Sequence, residues 1–351
     1  MTRRTPRPAS AVHWPEVAAK LAAAVPRERL HPAVLAHAGA SARLVRWSVA
    51  VSGGADSVAL LLLLWSHWPR HRARLCALHF NHRLRGRAAD ADEKFCAHVC
   101  RALGVRFIPG AWGGAHRGAS EAEARAARMT FFEKHGRTLW LGHQQDDIAE
   151  TMLMRLARGS GTAGLAAPRP VQSMGARRVH LRPLLTLKKV EIIAALRATG
   201  AAWREDATNA QGDFFRNRVR RDVLPAWTEA AQRDAGAGAA RARELLEEDD
   251  VALERWLAEL QPLGTDGALA LKKILGRPRA VVRRALHQWL LAQSHAGELS
   301  RQGFDALLVA VERGRPTRHS LGREGFAVIR GGWLRFERVG KARRRFQRRA
   351  N

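Results

Sequence analysis

The chain has 351 residues, enough for two domains that each bury a core, and 46% hydrophobic against 26% charged residues excludes wholesale disorder. Sixty Lys and Arg against 32 Asp and Glu give a formal charge of +28. This charge is mostly arginine and is carried by both halves, so the surface attracts phosphate-rich polymers in a salt-dependent way. Cys76, Cys96 and Cys100 are too few for a disulfide framework and lack CxxC spacing. They read as core residues of a protein from a reducing compartment.

Residues 1–40 read as an N-terminal extension with a helix over Val17 to Val25. No apolar segment follows its basic start, so it is not a secretory signal, while the lack of acidic residues before Glu16 leaves a mitochondrial presequence open. Leu44 to Val51 predicts a buried strand, Ser52 to Ser57 a glycine-bearing turn, and Val58 to Trp65 the helix after it. That apolar run is too short to span a bilayer, and no membrane partner is expected. Strands follow at Leu75 to Phe80, Val105 to Pro109 and Leu139 to Gly142. Helices alternate with them at Asp90 to Leu103, Glu121 to His135 and Asp146 to Ala157. This alternation predicts βαβ units on a parallel sheet. Gly159 to Pro170 reads as a mobile loop, Lys188 to Thr199 as a helix closed by Gly200, and Phe214 to Leu224 as a helix stopped by Pro225. From 228 the pattern is helical: Ala230 to Leu260, Pro278 to Gln293 and Ser300 to Arg313. Short strands at Phe326 to Ile329 and Trp333 to Phe336 and a basic tail, 341–351, complete it. Most of the 11 Trp residues are expected in the core.

The strongest chemical signal is Ser52-Gly53-Gly54-Ala55-Asp56-Ser57 between a buried strand and a helix. Glycines let backbone N–H groups turn toward a ligand, and the helix N-terminus adds partial positive charge. The serine hydroxyls donate hydrogen bonds, and Asp56 is placed to hold Mg²⁺ beside phosphates. The plain alternative is a capped glycine turn. The string lacks the GKS or GKT ending of a Walker loop. It resembles the pyrophosphate-binding loop of the ATP-pyrophosphatase (PP-loop) superfamily, an α/β fold of the adenine nucleotide alpha hydrolase type. Members split ATP to AMP and pyrophosphate to adenylate an oxygen that a nucleophile then displaces.

Further motifs narrow the resemblance. They are His79-Phe80-Asn81-His82-Arg83-Leu84-Arg85-Gly86, Glu121 to Arg128, Gly142-His143-Gln144-Gln145-Asp146-Asp147-Ile148-Ala149-Glu150-Thr151 and Met154 to Gly161. Arg182-Pro183-Leu184-Leu185, Glu205-Asp206-Ala207-Thr208-Asn209 and Phe215-Arg216-Asn217-Arg218-Val219-Arg220 follow. In this order they resemble the tRNA(Ile)-lysidine synthase family, firmly over about 44–227 and more weakly beyond, in the family's shorter form with one C-terminal domain. Arg83 stands where the family usually has Gly, Gln144 where His is common, and Ile148 where Gln is common.

The resemblance implies a catalytic domain over 41–227 and a mainly helical tRNA-binding domain over 228–340, in a cytoplasmic ligase. Its partners would be ATP, Mg²⁺, free L-lysine and an isoleucine tRNA with a CAU anticodon; oligomeric state, a homodimer included, stays open. ATP contacts fall to Ser52, Gly53, Gly54, Ala55, Asp56, Ser57, His79 and Arg125, with Asp56 also the metal ligand. Asp146, Asp147 and Glu150 form the carboxylate cluster for the dicationic lysine, and Asp56, Asp147 and Glu150 are the catalytic set. Arg128, Arg216, Asn217 and Arg220 are assigned to tRNA. By spacing alone, a helix N-terminus also favours acids, Arg125 and Arg128 also fit a solvated helix face, and His79 also fits a structural role. Arg283, Arg284, Arg313, Arg315 and Arg318 are further candidates for tRNA backbone contacts. Within the superfamily, tRNA thiolation would call for paired cysteines, and small-molecule amide synthetases would not call for so positive a surface. A non-catalytic RNA-binding relative would not require the intact Ser52, Asp56, Ser57, Asp147 and Glu150.

Overall fold

The computed structural model describes residues 12–40, 45–83, 86–116, 120–175, 178–205, 215–293, 299–322 and 325–338. Leu84, Arg85, Asp206, Asn209 and the 341–351 tail lie outside the described residues. The chain forms two compact units, Met1–Glu247 and Glu248–Asn351.

In the first unit a six-stranded sheet has the order β3-β2-β1-β4-β6-β5. Its strands are β1 (Trp47–Ala50), β2 (Leu75–Asn81), β3 (Arg106–Ala111), β4 (Thr138–Trp140), β5 (Val171–Ser173) and β6 (Val179–Leu181). All neighbours pair in parallel except β5, which lies antiparallel on β6. Because β1 has β2 on one side and β4 on the other, the order reverses there, and the carboxyl ends of β1 and β4 border the crevice where such sheets bind ligands.

Helices α1 (Trp14–Ala24) and α2 (Pro32–Gly39) are not a detached extension. Trp14, Val17, Leu21 and Val34 join β1 and α3 (Ala55–His67) in one buried cluster. Helix α3 is apolar nearly all round, with Ser57 and the run Val58 to Leu64 buried, as a helix sandwiched between a sheet and other helices must be. Next come α4 (Arg87–Ala102), α5 (Glu121–His135), α6 (Gln145–Leu156), the short α7 (Thr162–Leu165) and α8 (Lys189–Thr199). Gly200, at φ 72°, closes α8 in the left-handed region that favours glycine. After α9 (Phe215–Arg218) a π-turn, Val219–Val223, leads into α10 (Leu224–Ala231). The helix therefore does not stop at Pro225. The wide turn before it absorbs the missing N–H, and Pro225 sits in the first turn of α10, where no donor is needed.

Helix α11 (Ala235–Leu260) runs across the division between the units. In the second unit α12 (Arg279–Ala292) and α13 (Arg301–Arg313) pack with a four-stranded antiparallel sheet. Its strands are β7 (Leu269–Ala270), β8 (Thr317–Ser320), β9 (Gly325–Arg330) and β10 (Trp333–Arg338), around a core that includes Trp289, Leu307, Leu308 and Ile329. Trp14, Trp47, Trp140 and Trp289 are all fully buried. No helix among the described residues is long and apolar enough to cross a membrane.

Candidate active site

The Ser52–Ser57 turn links β1 to α3 and wires itself internally. The Ser57 hydroxyl donates to the Gly54 carbonyl at 2.9 Å and accepts from the Ser52 N–H at 3.1 Å, and the two serine hydroxyls lie 3.2 Å apart. Gly53 has φ 92°, and a Cβ there would lie 3.3 Å from both the Arg204 side chain and Cys96 Sγ. Its carbonyl accepts from the Arg204 N–H at 2.8 Å, so the segment around Arg204 pins the turn. No side chain caps α3, so its first-turn N–H groups face the crevice as an anion-binding end.

Asp56 lies in that first turn. Lys189 of α8 donates to its Oδ2 at 2.6 Å, while Oδ1 is buried without a hydrogen-bond partner. Burial raises the Asp56 pKa above the ordinary carboxylate value, against the pull of Lys189. Behind it, a Cβ on Gly142 would lie 3.1 Å from the Asp56 carbonyl, so only glycine lets the end of β4 approach the turn this closely.

Beyond β4, Gln144 caps α6, accepting from the Asp146 N–H at 2.6 Å and donating its own N–H to Asp147 Oδ2 at 2.9 Å. The Gln144 side-chain amide thus serves as the helix cap. Ile148 is buried, and Arg83 takes φ 56°, a left-handed conformation that favours glycine.

Asp147 and Glu150 point to one side of α6 and meet two arginines from α9 and the π-turn. Arg216 reaches Asp147 Oδ1 at 2.5 Å and Glu150 Oε2 at 2.7 Å; Arg220 reaches Glu150 Oε1 at 2.5 Å and Oε2 at 3.1 Å. Glu150 is completely buried beneath two guanidinium groups that themselves reach solvent, so the network forms part of the cavity wall and not an open carboxylate surface. Asp146, one position earlier, faces a cavity of about 740 Å³ that is also lined by Lys188, Lys189, Arg220, Glu229 and Asp234. Burial raises its pKa, and the charges of Asp147 and Glu150 push the same way.

His79 is buried at the end of β2 with Nδ1 2.8 Å from the Val51 carbonyl, a bond that ties the two strands beneath the turn. Arg125 is exposed on α5 and Arg128 half-buried three residues on. Arg182, just past β6, is 5% exposed and donates to His143 Nδ1 at 3.2 Å, to the Arg169 carbonyl at 2.7 Å and to Gln172 at 3.0 Å. Of the second-unit arginines, Arg284 is tied to Asp250 and Glu254, and Arg318 lies over the Phe326 ring at 3.5 Å. Asp56, Asp146, Asp147, Glu150, Arg216 and Arg220 are thus brought into one crevice. The residues not singled out from sequence are Lys189 and the His143–Arg182 pair. Arg182 carried a signal, its place in the Arg182–Leu185 motif; Lys189 carried none.

The PP-loop domain family matches residues 30–227. The chain is 38% identical over 275 residues to the tRNA(Ile)-lysidine synthase of Geobacter sulfurreducens, covering 73% of this chain and 56% of that one. To the enzyme of the same name from Symbiobacterium thermophilum it is 37% identical over 293 residues, covering 75% and 58%. The chain thus spans a little over half the length of these curated relatives. Among solved structures, the U34-tRNA thiolase NcsA of Methanococcus maripaludis superposes with a TM-score of 0.48 at 17% identity, covering 67% of this chain and 79% of that one.

Proposed function

The chain belongs to the PP-loop domain family, and we propose that it ligates free L-lysine to C2 of the wobble cytidine in an isoleucine tRNA with a CAU anticodon. O2 of the base attacks the α-phosphorus of ATP and pyrophosphate leaves. The ε-amine of lysine then attacks C2, loses a proton, and AMP departs with the former O2. The observation that carries this reading is the juxtaposition at the β1–β4 crevice. A phosphate-binding turn and Asp56 lie beside a carboxylate-bearing cavity of about 740 Å³, within the usual range for small ligands.

Each role follows from its surroundings. The uncapped α3 N-terminus, Ser52 and Ser57 hold the phosphates. The orphaned Asp56 Oδ1 fits a Mg²⁺ held by one carboxylate together with substrate phosphates, and the ion supplies charge neutralisation at the leaving pyrophosphate. Asp146 binds a lysine amine: its carboxylate is already disfavoured by burial and two acidic neighbours, so a cation there is stabilised. The same raised pKa suits it to take the proton that the nucleophile loses. Asp147 and Glu150 act through Arg216 and Arg220, setting one wall of the cavity. The basic surface, Arg128 and Asn217 included, serves the tRNA.

The test is product analysis. AMP and pyrophosphate, rather than ADP, should accumulate only when ATP, the tRNA and lysine are all supplied. ADP formation, or turnover indifferent to tRNA, would contradict the proposal. A non-catalytic RNA-binding relative would give neither product.

A further inference from the structure

At Asp146 the cavity recognises an amine, and any primary amine would satisfy a single carboxylate. The other charged groups that line the cavity ask for more. Glu150 is committed to Arg216 and Arg220, and Lys189 to Asp56. Lys188 is paired with Asp234, while the Glu229 carboxylate has no hydrogen-bond or ion-pair partner among the described residues. An ammonium and a free carboxylate are therefore offered to one cavity, and these are complementary to the two charges at the α-end of an amino acid.

Their placement sets a length. The Gln145 N–H donates to the Leu187 carbonyl at 2.9 Å, so Asp146 and Lys188, the next residues of the two segments, are backbone neighbours. From there the Lys188 side chain reaches Asp234 Oδ2, and Asp234 Oδ1 accepts from the Ala237 N–H at 3.0 Å in the first turn of α11. Glu229 stands in the last turn of α10, and Gln232, at φ 50°, turns the chain toward Asp234. One lysine side chain thus bridges the backbone beside Asp146 and the α10–α11 corner. Free lysine has the same four-carbon stem. With its ε-amine on Asp146, its α-carbon lies one such stem away, at the corner that carries Glu229, Asp234 and the Lys188 ammonium.

We propose that Glu229 takes the α-ammonium and Lys188 the α-carboxylate of the amino acid whose ε-amine sits at Asp146, so that the cavity selects an α-amino acid over a plain diamine. Asp234 is the positioning residue that holds the Lys188 ammonium at the corner. That ammonium keeps two donors beyond its bond to Asp234, and Glu229 has both oxygens open. An amine without the carboxylate leaves Lys188 unmet, and one without the α-amine leaves Glu229 unmet; the unmet charge is what rejects each. The inference rests on the lysine ligation proposed above.

The experiment compares the full chain with K188M and E229Q in turnover with ATP, Mg²⁺ and the CAU isoleucine tRNA. The amines supplied are L-lysine, 1,5-diaminopentane, which lacks the α-carboxylate, and 6-aminohexanoate, which lacks the α-amine. AMP release gives the rate, and the mass of the tRNA identifies the amine attached. The wild-type chain should prefer lysine to either analogue by at least about tenfold in kcat/KM. K188M should raise the KM for lysine about tenfold with no further loss for diaminopentane, and E229Q should do the same with no further loss for 6-aminohexanoate. In both variants the KM for ATP should hold, and Tm should stay within about 2 °C because so exposed an ion pair contributes little. Equal use of diaminopentane and lysine by the wild-type chain, or a KM for lysine unchanged in either variant, would overturn the subsite while leaving the ligation standing. So would a variant whose loss is the same with the analogue that lacks its partner group. A wild-type chain that attaches none of the three amines would remove the function itself.

Discussion

Asp56 and Glu150 are carboxylates of one crevice in opposite company. Asp56 has one oxygen on Lys189 and one without a partner, whereas Glu150 is buried under two guanidinium groups. D56A should therefore lower pyrophosphate release on the order of 100-fold while leaving tRNA affinity within about twofold. Near-normal turnover would remove Asp56 from the phosphate site. E150Q keeps the shape and removes the charge that Arg216 and Arg220 face. It should cost about 2 kcal/mol and lower Tm by about 4–8 °C, read by thermal unfolding. D146N should leave Tm within about 2 °C and raise the KM for lysine about tenfold, with the KM for ATP unchanged. A KM for lysine unaffected in D146N would place the amine elsewhere in the cavity.

At the scale of elements, the site depends on how closely β4 approaches the turn after β1. G142A would put a methyl group 3.1 Å from the Asp56 backbone and 3.3 Å from the Ser57 nitrogen, neither of which has a rotamer to yield. The variant should lose about 1–3 kcal/mol of stability and at least tenfold in kcat/KM for ATP; an unchanged kcat/KM would mean that the turn tolerates displacement. Much of this architecture was legible in the sequence. Helix α5 begins and ends where the pattern put it, because Ser120 and Glu123 form a capping box that marks its start. The glycine turn was legible because its chemistry is local. Strands β5 and β6 were missed, since three residues each carry no periodicity and their pairing is set by tertiary context. The end assigned at Pro225 failed because a π-turn leaves no mark in hydrophobic spacing. The Asp147–Arg216 and Glu150–Arg220 pairs span 69 and 70 residues, a distance at which residue types suggest candidates but not partners. Of the lysine cluster expected over Asp146, Asp147 and Glu150, Asp146 and Glu150 both line the cavity, while Asp147 and Glu150 pair with Arg216 and Arg220.

Across the whole molecule, buried neutral histidines set the response to acid. Burial, helped by nearby arginines, holds His31 and His180 at a pKa of about 4 and His143 well below its ordinary value. Each is neutral in the fold and titrates near 6.5 in the unfolded chain, so below about pH 6.5 the unfolded state binds more protons. Stability should therefore fall as pH drops from about 6.5 toward 4, with a slope of up to about 1.4 kcal/mol per pH unit for each histidine. In H180Q the slope measured near pH 5.5 should be shallower by up to one proton; an unchanged slope would show that His180 is not held neutral.

The measurement closest to the central claim is incorporation of labelled lysine into an isoleucine tRNA transcript with a CAU anticodon. The purified chain, ATP and Mg²⁺ would be present, and a methionine tRNA would be the control. The account predicts label in the isoleucine tRNA alone, with one AMP released per lysine incorporated. ATP-dependent AMP release with that tRNA but no label would contradict lysine as the nucleophile, and neither label nor AMP would contradict the ligase altogether.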